Sequence, residues 1–310
     1  MTIPPLFQRI AIIGFGLIGS SLARAVRQRR LAGHVVAIDR DPAVIDTALR
    51  LALADSASLE AAAVADADLV VLCAPVGSYA GLTAAIAPHL KPGALLSDVG
   101  SVKAAVIDAV RPHLPAAAAF VPAHPVAGTE QSGPEAGFAS LFKGRWCILT
   151  PPQGSDEHAV TRVRRLWEAV GATVEVMTPA HHDLVMAIVS HVPHLIAYNI
   201  VGTASDLEAV TRSEVIKFSA GGFRDFTRIA ASDPTMWRDV FLNNREAVLE
   251  MLGRFSEDLT ALQRAIRWGD GEALFALFTR TRDIRRRIID AGQDDPTPDF
   301  GRPHENGAKR

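Results

Sequence analysis

The chain has 310 residues, of which 48% are hydrophobic and 21% charged, and this composition predicts a folded protein of two domains. Because the formal net charge is only −2, we expect neither nucleic acid nor an acidic membrane as a partner. The two cysteines, Cys73 and Cys147, lie in no CxxC or Cys/His pattern, which argues against a disulfide framework or structural zinc and favours a reducing cytoplasm.

Nothing at the start of the sequence has the form of a targeting segment. The residues MTIPPLFQR hold no apolar core of signal-peptide length. We also expect no uncharged segment of the roughly 20 residues that a bilayer-spanning helix needs. The prediction is a cytoplasmic protein that is neither secreted nor embedded in a membrane.

Strands and helices alternate along the first half of the chain. The apolar run IAII at 10–13 ends in glycine and is followed by LIGSSLARAVRQ, whose apolar residues have helical spacing. A second strand is predicted at HVVAID, 34–39, followed by a helix that Pro42 opens after the N-cap residue Asp41. Three more buried strands are predicted at ADLVVLCAP (67–75), ALLSDV (94–99) and AAFVPAH (118–124).

Uninterrupted apolar strands that alternate with helices are typical of a parallel sheet covered on both faces. We expect WCILTP at 146–151, a helix around 156–169 and ATVEVM at 172–177 to extend the same sheet. The prediction is therefore an α/β fold with a doubly wound parallel sheet, in which ligands bind at the carboxyl ends of the strands.

After Pro179 the pattern changes to long segments with apolar residues three or four apart, which predicts an all-helical domain. Its length and apolar faces suggest helices of another subunit as packing partners, so we expect a homodimer formed through this domain. Breaks between helices are expected at GG 221–222, DP 233–234 and GDG 269–271. The predicted domains are 1–178 and 179–292, followed by a tail at 293–310 whose composition predicts disorder.

The stretch GFGLIG at 14–19 has the form G-x-G-x-x-G between a strand and a helix, and Asp39 follows twenty residues beyond Gly19. This is the fingerprint of a Rossmann-type dinucleotide site rather than of a plain turn. Gly14 permits the tight turn, Gly16 lets the backbone approach a pyrophosphate, and Gly19 permits close helix packing. The predicted cofactor-binding residues are Gly14, Phe15, Gly16, Leu17, Ile18, Gly19, Asp39, Arg40, Ala74 and Pro75.

The residues after the second strand bear on which dinucleotide is bound. The carboxylate of Asp39 would bind ribose hydroxyls and repel a 2′-phosphate, which favours NAD. The neighbouring Arg40 could accept such a phosphate, so NADP stays the less favoured alternative.

Polar groups recur in three stretches where the carboxyl edge of the sheet is expected: DVGSVK (98–103), HPVAGTEQSG (124–133) and SHVPH (190–194). Ser101 follows a strand, and its simplest alternative role is that of a helix N-cap. Ser190 and His194 share one helix face, close to His191, and Pro193 should kink the helix there.

Two histidines at this spacing suggest either a metal site or histidines that bond backbone carbonyls inside the core. No carboxylate or cysteine near His191 and His194 completes a set of metal ligands, so we predict no metal. A fourth stretch, GGFRDFTRIAASDPTMW (221–237), carries Arg224 and Arg228, and an arginine can grip a substrate carboxylate through two hydrogen bonds. The alternative there is an ordinary surface salt bridge.

Taken together, GFGLIGSSLA, SDVGSVK, HPVAGTEQSG, SHVPH and GGFRDFTRIAASDPTMW resemble the prephenate and arogenate dehydrogenases of tyrosine biosynthesis, over about residues 8–290. The resemblance implies a Rossmann domain followed by a helical dimerisation domain, with the substrate between them. It also implies oxidative decarboxylation: a hydride passes to the nicotinamide, the 4-hydroxyl loses its proton and the ring carboxyl departs as carbon dioxide.

The resemblance also implies roles for individual side chains. His124 matches the catalytic histidine that takes the proton of the 4-hydroxyl, and Ser101 matches the serine that orients this hydroxyl. His194 and Arg228 match substrate-binding residues, the arginine for a carboxylate. Thr129 and Glu130 match residues that line the pocket, and Glu130 is expected to gate it. Trp237 matches a tryptophan that is expected to reach the neighbouring subunit's site. Ser190, which shares a helix face with His194, is also predicted to bind the substrate.

Two other functional classes remain open from the sequence. A dehydrogenase of the β-hydroxyacid or pyrroline-carboxylate type also joins a Rossmann domain to helices, although it would lack the HPVAGTEQSG and SHVPH pair. A redox-sensing NAD-binding regulator would leave His124, His194 and Arg228 together without purpose. The choice between prephenate and arogenate, which differ by a keto group against an amine, is also left open.

Overall fold

A computed structural model of the chain describes residues 4–206 and 217–290. The predicted tail at 293–310 lies outside these residues. The first part of the chain forms a six-stranded sheet in the order β3-β2-β1-β4-β5-β6, in which every neighbouring pair is parallel. Its strands are β1 (Phe7–Ile13), β2 (Ala32–Ile38), β3 (Ser56–Ser58), β4 (Leu69–Leu72), β5 (Leu95–Asp98) and β6 (Ala119–Val121).

Both faces of this sheet are buried, as a doubly wound fold requires. Along β1, Ile10 and Ile12 belong to one apolar core, whereas Ala11 and Ile13 belong to a second core on the other face. The covering helices are α1 (Leu17–Gln28), α2 (Pro42–Arg50), α3 (Tyr79–Ile86), α4 (Ala104–Val110) and α5 (Glu157–Ala169). The predicted doubly wound α/β fold is confirmed, and Asp41 caps α2 as expected by accepting a hydrogen bond from the Ala43 N–H.

The prediction that the later strands extend the same sheet was wrong. The stretch 118–124 divides into β6 and a separate strand β7 (Ala123–Pro125), which pairs antiparallel with β8 (Trp146–Leu149). A parallel strand, β9 (Thr173–Val176), completes this second sheet of three strands. The break falls at Pro122, which has no N–H to donate and whose carbonyl accepts a hydrogen bond from Thr150 instead.

The second part of the chain is helical throughout residues 178–206 and 217–290, apart from the short links between its helices. Its helices are α6 (Pro179–Met186), α7 (Val192–Asp206), α8 (Gly221–Thr227), α9 (Pro234–Asn243), α10 (Arg245–Trp268) and α11 (Gly271–Ile288). The three expected breaks coincide with helix boundaries: α8 begins at Gly221, the Asp233 side chain caps α9, and Gly269 in the left-handed region (φ +68°) ends α10.

The irregularity expected at Pro193 occurs in the turn before it. Residues Ala187–His191 form a π-helical turn that joins α6 to α7. The carbonyl of Ser190 accepts a hydrogen bond from Nδ1 of His194, at 2.8 Å. Turns of this kind are frequent at functional sites because they re-aim side chains on a helix.

The expectation that no segment has the length and composition of a membrane span was also wrong. The continuous helical stretch Pro179–Asp206 is long and apolar enough, because no Asp, Glu, Lys or Arg occurs between Asp183 and Asp206. Only 28% of its most apolar window is buried against the rest of the described chain. The exposed apolar side chains include Ile188, Val189, Ile200 and Val201.

Candidate active site

A cavity of about 590 Å³ opens where the carboxyl ends of β1, β4 and β5 meet the helical domain. This is the place where doubly wound sheets bind ligands. Most of the predicted site residues line it: Gly16, Leu17, Ile18, Arg40, Ala74, Pro75, Ser101, His124, Thr129, Glu130, Ser190, His194, Arg228 and Trp237. The other predicted residues, Gly14, Phe15, Gly19 and Asp39, are not among its lining residues.

The glycine turn has the shape that a dinucleotide requires. Gly14 has a φ of +93°, and a Cβ on Gly19 would lie 2.1 Å from the carbonyl oxygen of Gly14. A Cβ on Gly16 would meet nothing within 4 Å, so this residue offers open space on the cavity side. Gly16 is also the N-cap of α1 and provides no side-chain cap, which leaves the first N–H groups of α1 to an anion such as a pyrophosphate.

Asp39 braces this turn from outside the cavity. Its Oδ2 accepts a hydrogen bond from the Phe15 N–H at 2.8 Å, and its Oδ1 accepts one from the Asp41 N–H at 3.1 Å. Phe15 is fully buried in the core and its N–H is bound to Asp39, so this residue shapes the turn from within the core. Arg40 is exposed and lines the cavity.

His124 lies on β7 and is connected to two residues of the helical domain. Its Nδ1 is 2.8 Å from Nε2 of His182, and Nδ1 of His182 is 2.8 Å from Oδ1 of Asp183. Since a carboxylate only accepts, His182 donates from Nδ1 and, as a neutral ring, accepts at Nε2. His124 therefore donates from Nδ1, and this assignment leaves its Nε2 as an unprotonated acceptor.

Burial keeps these histidines uncharged. The pKa of His124 lies well below its ordinary value, first because burial disfavours the charged ring and then because a second positive charge would lie beside Lys103 and the ionisable rings of His182 and His191. Burial also lowers the pKa of His182, although Asp183 opposes this effect. At neutral pH His124 is thus a neutral imidazole, the form that can accept a proton.

Asp183 also joins the two domains at the start of α4. Its carboxylate accepts hydrogen bonds from the N–H groups of Lys103 at 2.8 Å and Ala104 at 2.9 Å. A carboxylate at a helix N-terminus is stabilised by the unpaired N–H groups there. Because α4 begins at Ala104 and Asp183 serves its first turn, the alternative that Ser101 is a plain helix N-cap does not hold.

His194 is stacked on Trp237, with ring centroids 3.7 Å apart and planes at 25°. Because Nδ1 of His194 donates to the carbonyl of Ser190, Nε2 is the acceptor of the neutral ring. Burial lowers the pKa of His194, and the charge of Arg228 lowers it further. Trp237 is only 6% exposed and lines the cavity of its own chain. Its reach toward a neighbouring subunit stays a prediction.

Arg228 and Glu130 meet at the cavity. Nη1 of Arg228 lies 2.9 Å from Oε2 of Glu130, and both side chains are partly exposed. Thr129, the residue before Glu130, accepts a hydrogen bond from the Gln131 N–H at 3.2 Å. By contrast, Arg224 pairs with its neighbour Asp225 and is highly exposed, which corresponds to the surface salt bridge weighed for this stretch.

Across residues 4–206 and 217–290, no group of three or more His, Cys, Asp and Glu side chains is placed to hold a metal ion. His191 is a core histidine, fully buried, whose Nδ1 accepts from the amide of Asn244 at 3.1 Å. It therefore corresponds to the core alternative weighed from the sequence, with a side-chain amide as the partner of its Nδ1. His194 instead lines the cavity.

Family models match both parts of the chain. The model described as "Prephenate dehydrogenase, nucleotide-binding domain" matches residues 22–176, and "Prephenate dehydrogenase, dimerization domain" matches residues 178–280. A cyclohexadienyl dehydrogenase of Zymomonas mobilis is 42% identical over 280 residues, which cover 90% of this chain and 95% of that protein. The chain belongs to the prephenate dehydrogenase family.

Another relative and two solved structures are also similar to this chain. A prephenate dehydrogenase of Bacillus subtilis is 34% identical over 89% of this chain and 75% of its own length. The crystal structure of prephenate dehydrogenase from Aquifex aeolicus in complex with hydroxyphenyl propionate and NAD+ is 34% identical, with a TM-score of 0.85 over 93% of this chain and 99% of that chain. Synechocystis arogenate dehydrogenase is 26% identical, with a TM-score of 0.74 over 90% of this chain and 99% of that chain.

Several residues of the site were missed by the sequence reasoning. Asp98 and Lys103 lie at the two ends of the quoted stretch DVGSVK, yet no role was predicted for them. His182 and Asp183 belong to the run HHD at 181–183, which is not part of any motif recognised in the sequence. His182 is 58 residues from His124, and nothing in the sequence pairs them, so only the polar character of the run could have drawn attention to it.

Proposed function

We propose that the chain catalyses the NAD-dependent oxidative decarboxylation of prephenate, arogenate or both. One observation carries the proposal. The acceptor nitrogen of His124 is set by the Asp183–His182 pair, and His124 lines the same cavity as the glycine turn and the two substrate-binding candidates, His194 and Arg228. A base, a dinucleotide site and a cation for a carboxylate are what this reaction needs.

The glycine turn, the N-terminus of α1 and the residues Ala74 and Pro75 after β4 would hold the dinucleotide. When bound, NAD supplies the hydride acceptor. Asp39 holds the turn and favours NAD over NADP, because a second negative charge near its carboxylate is unfavourable. The exposed guanidinium of Arg40 keeps NADP as the less favoured alternative.

His124 would remove the proton of the substrate's 4-hydroxyl through Nε2 as the hydride leaves the ring carbon that bears this hydroxyl. The transfer gives His124 a positive charge, which the chain of hydrogen bonds through His182 to the Asp183 carboxylate stabilises. Ser101, which follows β5 on the cavity wall, would orient the hydroxyl. Loss of the ring carboxyl as carbon dioxide then makes the ring aromatic.

Arg228 would bind a substrate carboxylate, and His194 and Ser190 would contact the substrate beside it. In the structure Glu130 occupies one position of the Arg228 guanidinium, as a substrate carboxylate would. Glu130 would gate the pocket by leaving Arg228 when the substrate carboxylate binds there. Thr129 precedes Glu130 and lines the same wall.

We also propose a cytoplasmic homodimer formed through the helical domain, with neither nucleic acid nor a membrane as partner. Large apolar side chains are exposed on α10 and α11: Leu249, Leu259, Ile266, Trp268, Phe275, Phe278, Ile284 and Ile288. A surface of this kind is what a second copy would cover. Measurement of the molar mass by light scattering tests it, and a monomer at micromolar concentration would contradict it.

The function is tested with prephenate and with arogenate by following the formation of NADH from NAD and of NADPH from NADP. We expect activity with NAD and release of carbon dioxide in equal amount. Comparison of kcat/KM for both substrates decides between them, and a higher kcat/KM with NADP than with NAD would reverse the cofactor assignment. Oxidation of β-hydroxyacids without activity on either cyclohexadiene, or binding of NAD without turnover, would support one of the two rival functions.

A further inference from the structure

The buried ion pair between Lys103 and Asp98 has no part in the function described so far. Nζ of Lys103 lies 2.5 Å from Oδ2 of Asp98, and both side chains are 0% exposed. Moving two charged groups out of water costs free energy that their mutual attraction often fails to offset. A fold with apolar side chains of similar size in their place would often be as stable. A pair of this kind, beside a candidate active site, calls for a role other than stability.

The pair holds the strand that carries the proposed base. Lys103 Nζ donates to the carbonyl of Ala123 at 2.7 Å, and Asp98 Oδ1 accepts from the Ala123 N–H at 3.1 Å. Both backbone groups of Ala123, the residue before His124, are therefore bound by this one pair. The backbone N–H of Lys103 donates to Asp183, so the same residue also contacts the far end of the His124–His182–Asp183 chain.

We propose that Lys103, held by Asp98, is a positioning residue for His124: it fixes the backbone of β7 and places its ammonium group against the residue that precedes His124. This inference rests on the proposed function. The charge opposes protonation of His124 before the substrate arrives, and it complements the burial that acts in the same direction.

Other groups near His124 titrate or carry charge, and they define what the test has to separate. They are His182 and Asp183 on α6, His191 in the π-helical turn, Lys103 before α4, Asp98 on β5 and Cys147 on β8. Since these groups are coupled, the acid limb of a pH–rate profile reports an apparent pKa of the whole cluster. The test is therefore the direction in which this limb moves when one charge is removed.

The experiment compares the kcat/KM profile against pH of the wild type with that of Lys103→Met. Activity falls as pH decreases because His124 must be unprotonated. Without the ammonium group the limb is expected to move to higher pH, and the loosened strand is expected to lower kcat/KM about 100-fold. NAD binding, followed by fluorescence, should stay close to that of the wild type.

Lys91→Met is the matched control. Lys91 makes the same two kinds of contact, to the Asp68 carboxylate at 2.6 Å and the Asp66 carbonyl at 2.9 Å, but it is partly exposed and these contacts are not to the strand or the carboxylate that hold His124. Its profile should coincide with that of the wild type. If Lys103→Met does not fold, the double variant Asp98→Asn/Lys103→Met removes the unpaired carboxylate, and the same shift is expected because Lys103 is the member of the pair that acts on the pKa of His124.

An unmoved acid limb in the folded Lys103 variant overturns the proposal, whether or not kcat/KM falls, since a merely structural role lowers the rate without moving the limb. The same shift in Lys91→Met would overturn it as well. If the wild type oxidises neither cyclohexadiene, the proposed function fails separately. In that case an NMR titration of the His124 imidazole in wild type and variant still tests the charge effect.

Discussion

The dinucleotide turn and the histidine cluster (His124, His182, His191 and Asp183) serve one cavity but are built in opposite ways. The turn is contiguous, six residues from Gly14 to Gly19, and acts through its backbone and the absence of side chains. The histidine cluster acts through side chains that come from β7, α6 and the π-helical turn. A site formed by the backbone of one turn is visible in consecutive residues of the sequence. A site formed by side chains from distant segments depends on the fold that brings them together.

The largest expected effect is on the catalytic rate, and it comes from a substitution in the histidine cluster. We expect His124→Asn to lower kcat by about 100- to 10,000-fold, because the variant lacks the base, while KM for substrate and NAD changes little. Steady-state kinetics checks this. A variant with near-normal kcat would contradict the assignment of His124 as base, and a loss confined to the KM for NAD would mean that the two regions are not separable.

The second effect is on the free energy of unfolding of the protein at low pH, through His191 of the cluster. Burial lowers the pKa of His191 to about 4 in the folded protein, whereas an unfolded histidine titrates near 6.5. As pH falls from 6.5 to 4 the unfolded state takes up the proton first, so His191 alone removes about 3 kcal/mol from the free energy of unfolding. Stability is fully present above pH 6.5.

Urea unfolding of the wild type and of His191→Gln between pH 7 and pH 4 measures this contribution. Glutamine keeps an acceptor for the Asn244 amide but does not titrate. We expect a smaller loss of stability on acidification in the variant, and no such difference in His89→Gln, which changes an exposed histidine. Equal losses in wild type and His191→Gln would show that His191 is not held neutral by burial.

The same contrast explains what could be predicted from the sequence. The glycine turn, Asp41 before Pro42 and the breaks at 221–222, 233–234 and 269–271 rest on local chemistry and were predicted correctly. The single strand expected at 118–124 was predicted wrongly. Its apolar residues continue past Pro122, whereas the hydrogen bonds that join it to the six-stranded sheet end before this proline. Family resemblance supplied a role for His124, but the partner His182 becomes visible only when β7 and α6 are brought together.

A third, smaller effect concerns Arg228, which connects the cluster side of the cavity to the substrate. Arg228→Ala should chiefly raise KM for the substrate, by about 10- to 100-fold, the value of one hydrogen-bonded charge pair, with a lesser effect on kcat. Arg224→Ala is the control, because Arg224 lies one turn earlier in the same segment but pairs on the surface with Asp225. If both variants raised KM equally, the effect would be one of general charge rather than of the Arg228 site.

The smallest effect isolates the dinucleotide turn. Gly16 has a φ of −70°, which suits alanine, and a Cβ there would meet no protein atom within 4 Å, so Gly16→Ala should fold normally. The added methyl group enters the space that a pyrophosphate needs, and we expect NAD to bind about tenfold more weakly, a change of about 1.4 kcal/mol. Gly81→Ala, equally open but in α3 and outside the cavity, should leave NAD binding unchanged. The acid limb of the kcat/KM profile should be the same in both variants as in the wild type, because neither change touches the histidine cluster.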